Sequence, residues 1–420
     1  MKQTIFNKNF LIVVIGQMVS LFGNAVLRFA LPLYILDKTG SASIFGSILA
    51  ISTIPTILFS PVGGILSDRM NKRTMMVILD LVGGITIILF SLMMNLGSVV
   101  FLITLLMIIF SIIQAIYQPV VQSSIPTIVG EDNLEKANGI VSMVTAMSNI
   151  LGPLTAGMLY GQFGINPIMI TCIVSFLLAS LMECFIKIKV SPPEKENSLI
   201  KTIKADIHLS FQYIFRDNPV MFKVMLITSG MNLFLTAMIL VGLPTMITIK
   251  LGLSSQLYGY TQGALAGGMI IGAILASLSG KRLNISHAYK MLGAASVALI
   301  PMGLAFTLNL NRMALYWIIT TVCFFMMVVI TIFTITIMSF IQRSTPEHLI
   351  GRVISYILAI PQFTLPVGQM MYGFLFNTGM GHIDVIIYGT AFFSILVAFY
   401  SRKIFNDFEC RSKKISGLFS

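Results

Sequence analysis

Charge is what this sequence has least of. Only 10% of its 420 residues are Asp, Glu, Lys or Arg, whereas 56% are hydrophobic. A soluble domain carries roughly 25% charged residues. A deficit spread over the whole length excludes an ordinary water-soluble chain and leaves most residues facing lipid or other apolar elements. Cysteine is scarce too. Cys172, Cys184, Cys323 and Cys410 are scattered, three of them within apolar runs, so neither a disulfide framework nor a metal-ligand spacing is present. The four histidines, His208, His287, His348 and His382, are equally isolated. With no His/Ser/Asp set, metal spacing or nucleotide loop, the sequence argues against an enzyme and against ATP-driven action within this chain. Met1–Asn9 is too polar for a signal peptide.

What remains is apolar sequence in long runs. Met75–Met94 and Val99–Tyr117 are each about 20 residues, the length that spans a hydrocarbon core as a helix. Only helices or closed barrels satisfy their backbone in lipid, and these continuous runs do not alternate as barrel strands do. About twelve spans are expected, centred near Val19, Thr53, Gly84, Leu106, Met147, Ser175, Phe234, Ala266, Ala295, Val329, Phe363 and Phe393. An even number puts both termini on one side. With the N-terminus cytoplasmic, 23 of the 27 lysines and arginines fall on the inner side, and only Lys38, Lys250 and Arg312 fall outside. That bias identifies the cytoplasmic face. The net charge of +12 is therefore read as an orientation signal that meets anionic lipid headgroups, not nucleic acid.

A polar stretch from about Lys187 to Pro219 divides the chain. It contains Pro192-Pro193 and Glu194-Lys195-Glu196-Asn197, followed by Ile200, Ile203, Ile207, Phe211 and Ile214 at helical spacing. This suits a linker with an amphipathic helix at the inner interface, serving either as a hinge or as a tether. The expected organisation is a six-helix bundle over residues 1–190, a cytoplasmic linker over 191–217, a second bundle over 218–403 and a basic tail over 404–420. The halves look duplicated. Leu21-Phe22, Ala25, Leu31-Pro32, Lys38 and Gly40 recur at an offset of 212 as Leu233-Phe234, Ala237, Leu243-Pro244, Lys250 and Gly252. Gly63, Leu66, Lys72 and Arg73 recur at an offset of 209 as Gly272, Leu275, Lys281 and Arg282. Parallel repeats of this kind place a binding cavity near the midplane.

The segment Gly64-Ile65-Leu66-Ser67-Asp68-Arg69-Met70-Asn71-Lys72-Arg73 resembles the signature between helices two and three of the major facilitator superfamily. The resemblance implies an all-α membrane protein of about twelve helices in two pseudo-symmetric six-helix bundles. It implies a cytoplasmic gate in which Asp68 is held by helix dipoles and by the basic Arg69, Lys72 and Arg73, with Gly64 permitting close approach of helices. In the second half Ser277 and Leu278 replace Asp-Arg, so such a lock is one-sided. Ser148, Gly152-Pro153 and Gly157 resemble the glycine-rich motif of drug/proton antiporters, with Ser148 and Ala156 in place of glycines; packing of small residues explains the same pattern. Gly16-Gln17, Ser20, Leu31-Pro32, Thr39-Gly40-Ser41, Gln118-Pro119, Ile125-Pro126 and Asn133-Leu134 resemble the macrolide-efflux-like and siderophore-exporter-like branch. That branch implies secondary export driven by inward proton movement, without a cofactor, from a bacterial inner membrane.

Ionisable residues within spans default to functional candidates. Arg28 lies about eight residues, or about 12 Å, from the outer end of its helix, with Asn24 on the same face. It either points into a cavity or snorkels to the outer interface. Asp80, about two turns into the third span, either binds a proton or joins the Asp68 lock. Glu183, four residues before Lys187, suits a surface ion pair. Gln17, Gln114, Gln118, Asn149, Asn232, Gln262 and Gln362 are candidates for lining the cavity. A deep cation without a midplane acid favours a neutral, zwitterionic or anionic amphiphile over a cationic drug. The expected partners are a small amphiphilic substrate and membrane lipids, with the chain a monomer. The alternatives are transport of a lipid, lysophospholipid or anionic metabolite, or a transporter-like sensor that moves nothing.

Overall fold

The computed structural model describes residues 7–129, 133–186, 213–217, 219–279, 285–345, 356–357 and 359–416. Most of the polar stretch anticipated as a linker therefore lies outside the described residues. Among the described residues twelve longer helices follow in order: α1 Lys8–Thr39, α2 Ala42–Arg69, α3 Lys72–Met93, α4 Val99–Val129, α5 Leu134–Phe163 and α6 Ile165–Glu183, then α7 Pro219–Lys250, α8 Ser255–Ser279, α9 Ala288–Thr307, α10 Arg312–Ser344, α11 Thr364–Thr378 and α12 Ile383–Ser416. Among the described residues, eleven of them contain stretches long and apolar enough to cross a membrane. The exception is α11. Its expected centre, Phe363, is instead a turn residue at the helix start, preceded by a short helical stretch at 359–362.

Polar residues set the helix boundaries. The Asn7 side chain accepts from the Phe10 N–H at 2.9 Å and donates to the Ile128 carbonyl at 2.8 Å, so one side chain caps α1 and ties it to the end of α4. Gly40, with φ 62°, closes α1 by donating its N–H to the Leu36 carbonyl at 2.8 Å. Ser41 and Asn71 then cap α2 and α3. Prolines 32, 55, 61, 119, 126, 153 and 244 lie inside helices, which membrane helices tolerate because neighbouring groups satisfy the freed carbonyls.

The chain separates into two compact units: Met1–Lys195 with Ile247–Gly263, and Glu196–Met246 with Ala264–Ser420. The end of α7 and the start of α8 thus pack with the first six helices. In the first unit, small residues let backbones meet. A Cβ on Gly63 of α2 would lie 2.4 Å from the Ala115 carbonyl oxygen of α4, and one on Gly152 of α5 would lie 2.4 Å from the Ala25 Cβ of α1. Such close approach replaces the hydrophobic drive that lipid does not supply. The core between these helices includes Leu27, Leu31, Phe110 and Phe176, the two rings 5.1 Å apart edge to face. Leu58, Phe101, Ile170 and Leu181 point outward and are exposed, as lipid-facing positions are.

The second unit repeats the device. A Cβ on Gly272 of α8 would lie 2.6 Å from the Val328 carbonyl oxygen of α10. Its α7 is less regular than α1, with π-helical turns at Asn232–Thr236 and Thr245–Lys250.

Candidate functional site

The polar chemistry of the first unit lies along one stripe of α1. Gln17, Ser20, Asn24 and Arg28 are spaced by three, four and four residues, so they share a face. Near its lower end two acids meet. Ser20 donates to Asp80 Oδ1 at 2.8 Å, from α1 to α3. Tyr117 of α4 donates to Glu183 Oε1 of α6 at 2.7 Å. Each pair is within electrostatic reach of the other. Asp80 and Glu183 are almost fully buried, and the second oxygen of each has no partner. Gln17 is also buried, with both amide atoms unpartnered. Gly16 makes room, since a Cβ there would lie 3.4 Å from Glu183 Cγ. Four helices therefore bring two carboxyl groups, two hydroxyls and one amide into an apolar interior.

This overturns the surface ion pair expected for Glu183; the side chain turns inward to Tyr117, and Lys187 lies outside the described residues. Asp80 also points to Ser20 and the interior of the bundle. The side chains of Asp68 and Arg69 lie outside the described residues. Their neighbours bind backbone carbonyls: Lys72 Nζ donates to the Ser123 carbonyl within α4 at 2.6 Å, and Arg73 donates to the Cys184 carbonyl that closes α6. A cation there complements the helix dipole. The close approach expected at Gly64 falls one residue earlier: a Cβ on Gly64 would meet nothing, whereas Gly63 is wedged against α4.

Two turns along α1 from Ser20, Arg28 Nη2 donates to Ser111 Oγ of α4 at 2.9 Å. Ser111 spends its own proton on the Met107 carbonyl at 2.8 Å, so its oxygen is free to accept. Arg28 Nε and Asn24 Oδ1 are buried without partners. At the far end of α1, the Asp37 carboxylate accepts from Tyr160 at 2.8 Å and from Ser255 at 3.3 Å. These groups border a cavity of about 400 Å³ that is also lined by Tyr34, Gly161 and Thr248.

Of the antiporter-like residues, Gly152 packs against α1, Gly157 against Gly259 of α8, Pro153 lies inside α5, and the buried Ser148 hydroxyl is unpartnered. Among the amides, Gln262 donates to Tyr258 at 2.8 Å and Asn232 to the Pro361 carbonyl at 3.1 Å. Gln114 and Gln118 are half-buried, and Asn149 and Gln362 are exposed. The sequence reading missed Tyr117, Ser111, Asp37 and Tyr160 as site residues. It also missed Gln369 of α11, buried with an unpartnered Oε1.

The profile of the Major Facilitator Superfamily matches residues 13–369. The chain belongs to that superfamily. It is 24% identical over 377 residues to macrolide efflux protein A of Streptococcus pyogenes, covering 87% of this chain and 89% of that protein. It is 27% identical over 159 residues to a multi-drug resistance efflux pump of Streptococcus pneumoniae, covering 37% and 38%. A solved bacterial metal transporter superposes with a TM-score of 0.71 at 15% identity, over 95% of this chain and 98% of that one, a likeness of fold. This major facilitator protein is thus a multi-pass membrane transporter with ionisable side chains concentrated around its first helix.

Proposed function

We propose that the chain is a proton-driven exporter of a small amphiphilic molecule, working by alternating access. The observation that carries this reading is the buried meeting of Asp80 and Glu183, held by Ser20 and Tyr117. Burying an ion costs several kcal/mol even when it is paired, and among the described residues the hydrogen bonds to these two acids come from hydroxyls. A proton taken up by the pair offsets that cost, and its loss exposes the cost again. A site whose energy changes with one proton suits a transport cycle. Export, rather than uptake, draws on the names of the relatives, macrolide efflux and multi-drug efflux. In this reading the protein sits in a bacterial inner membrane as a monomer with both termini cytoplasmic. Its partners are substrate and lipid, and Asp68, Arg69, Lys72 and Arg73 form the cytoplasmic gate.

The test is accumulation of labelled erythromycin and of labelled taurocholate in an efflux-deficient bacterial host. Wild type should lower the accumulation of at least one of them, and a protonophore, Asp80→Asn or Glu183→Gln should abolish the effect. Export that survives the protonophore and both substitutions sinks the proton-driven reading. A second reading, transport of an anionic metabolite or lysophospholipid, is favoured by Arg28.

A further inference from the structure

We propose that Arg28, oriented by Ser111, is an oxyanion-binding subsite, and that the transported amphiphile carries a carboxylate or phosphate group which docks there. The inference rests on the transporter reading above and narrows its substrate.

Among the described residues, Arg28 is a cation without a counter-charge. Among the described residues its hydrogen bond goes to Ser111, a neutral hydroxyl. The acids on or against its helix are remote. Asp37 lies nine residues on, about 13 Å along the axis, and Asp80 is tied to Ser20, about 12 Å back. A guanidinium has five N–H donors in a planar fork. Nη2 is committed to Ser111 and Nε is buried with no acceptor. Leaving a buried donor unmade is costly, more so on a charged group.

The surroundings favour an incoming ligand over a structural role. Ser111 is fixed by its bond to the Met107 carbonyl, so it orients the guanidinium without neutralising it. The Arg28 side chain as a whole remains partly accessible, which leaves a route for a ligand. The missing partner is then an acceptor bearing negative charge, and carboxylate and phosphate match the fork two bonds at a time. The repeat partner of Arg28 is Leu240, so the anion belongs to one bundle.

The test is equilibrium binding to the full chain in dodecyl maltoside, with three labelled probes of equal tail and different head: dodecanoate, lauroyl lysophosphatidylglycerol and dodecyltrimethylammonium. Wild type should hold at least one of the anions about tenfold more tightly than the cation. Arg28→Gln should erase that preference. Arg28→Lys should keep part of it, as a point charge without the fork. Lys38→Gln, which removes another cation of α1, should bind as wild type does. Binding of dodecanoate alone identifies a soluble anionic amphiphile, and binding of the lysolipid alone a lipid headgroup; both support the subsite. A wild type without preference for anions overturns it whatever the variants do, as does a preference that survives Arg28→Gln. Anion binding without transport would sink the exporter reading and leave the subsite standing. Proton-driven export of erythromycin by a protein indifferent to anions would do the reverse.

Discussion

Gly40 and Gly252 lie 212 positions apart and adopt φ 62° and 63° at corresponding places in the two repeats. Gly63 and Gly272, 209 apart, are both driven against a carbonyl of the helix two further along, that of Ala115 in one repeat and Val328 in the other. Pro32 and Pro244 are each buried inside a helix. The repeats therefore agree at these turns, prolines and close contacts. They disagree where charge is buried. Arg28 is matched by Leu240, and Asp80, at the same offset as the glycines, by Tyr289. The second unit's buried Tyr372 bonds to the Thr390 hydroxyl at 2.7 Å, a neutral pair where Tyr117 has Glu183. Packing constrains both copies equally because each must exclude lipid and close its backbone. Ionisable groups are expensive in both, so one copy keeps them and the other is free to be apolar.

The sharpest way to break the comparison is to overfill the shared close contacts. Gly63→Leu and Gly272→Leu should each cost about 3 kcal/mol or more, since backbone and not a yielding side chain stands in the way. Loss of the monodisperse peak on size exclusion in detergent reads this out, and tolerance at one site alone would break the equivalence. The next effect should be asymmetric. A double-mutant cycle of Tyr117→Phe with Glu183→Gln, followed by thermal unfolding, should show a coupling of about 1–3 kcal/mol. The matching cycle of Tyr372→Phe with Thr390→Val should show about 1 kcal/mol. Equal couplings would mean that the acid adds nothing to the bond. Gly40→Ala and Gly252→Ala should each cost about 1 kcal/mol, since both must hold a left-handed conformation that a Cβ disfavours. The smallest effect belongs to Gly64→Ala. With open space around the added methyl, the melting temperature should stay the same or rise slightly.

The fold was legible because lipid imposes one demand on every span, a long apolar run, and that demand is local in sequence. Eleven of the twelve expected centres fall inside helices; at Phe363 a turn interrupts the apolar run, between Pro361 and Pro366. The site was legible only in part. Asp80 and Arg28 drew attention as charges in apolar runs, but their partners come from 60 and 83 residues away. Glu183 was misread because a lysine four residues on offers an obvious local partner, while Tyr117 looks like ordinary aromatic filling. Gly63 and Gly64 differ by one step of about 100° around a helix, and spacing alone does not say which of two adjacent glycines faces the neighbour.

The two π-helical turns of α7 have a consequence of their own. A wide turn closes its hydrogen bond over five residues instead of four, so each one shifts the phase of every side chain beyond it. Helices α1 and α7 both contain 32 residues, yet threes and fours count the faces correctly along only one of them. A scan of substitutions along α1 should trace a single wave of tolerance from end to end. Along α7 that wave should skip at Asn232–Thr236 and again at Thr245–Lys250, like a screw whose thread has been recut twice.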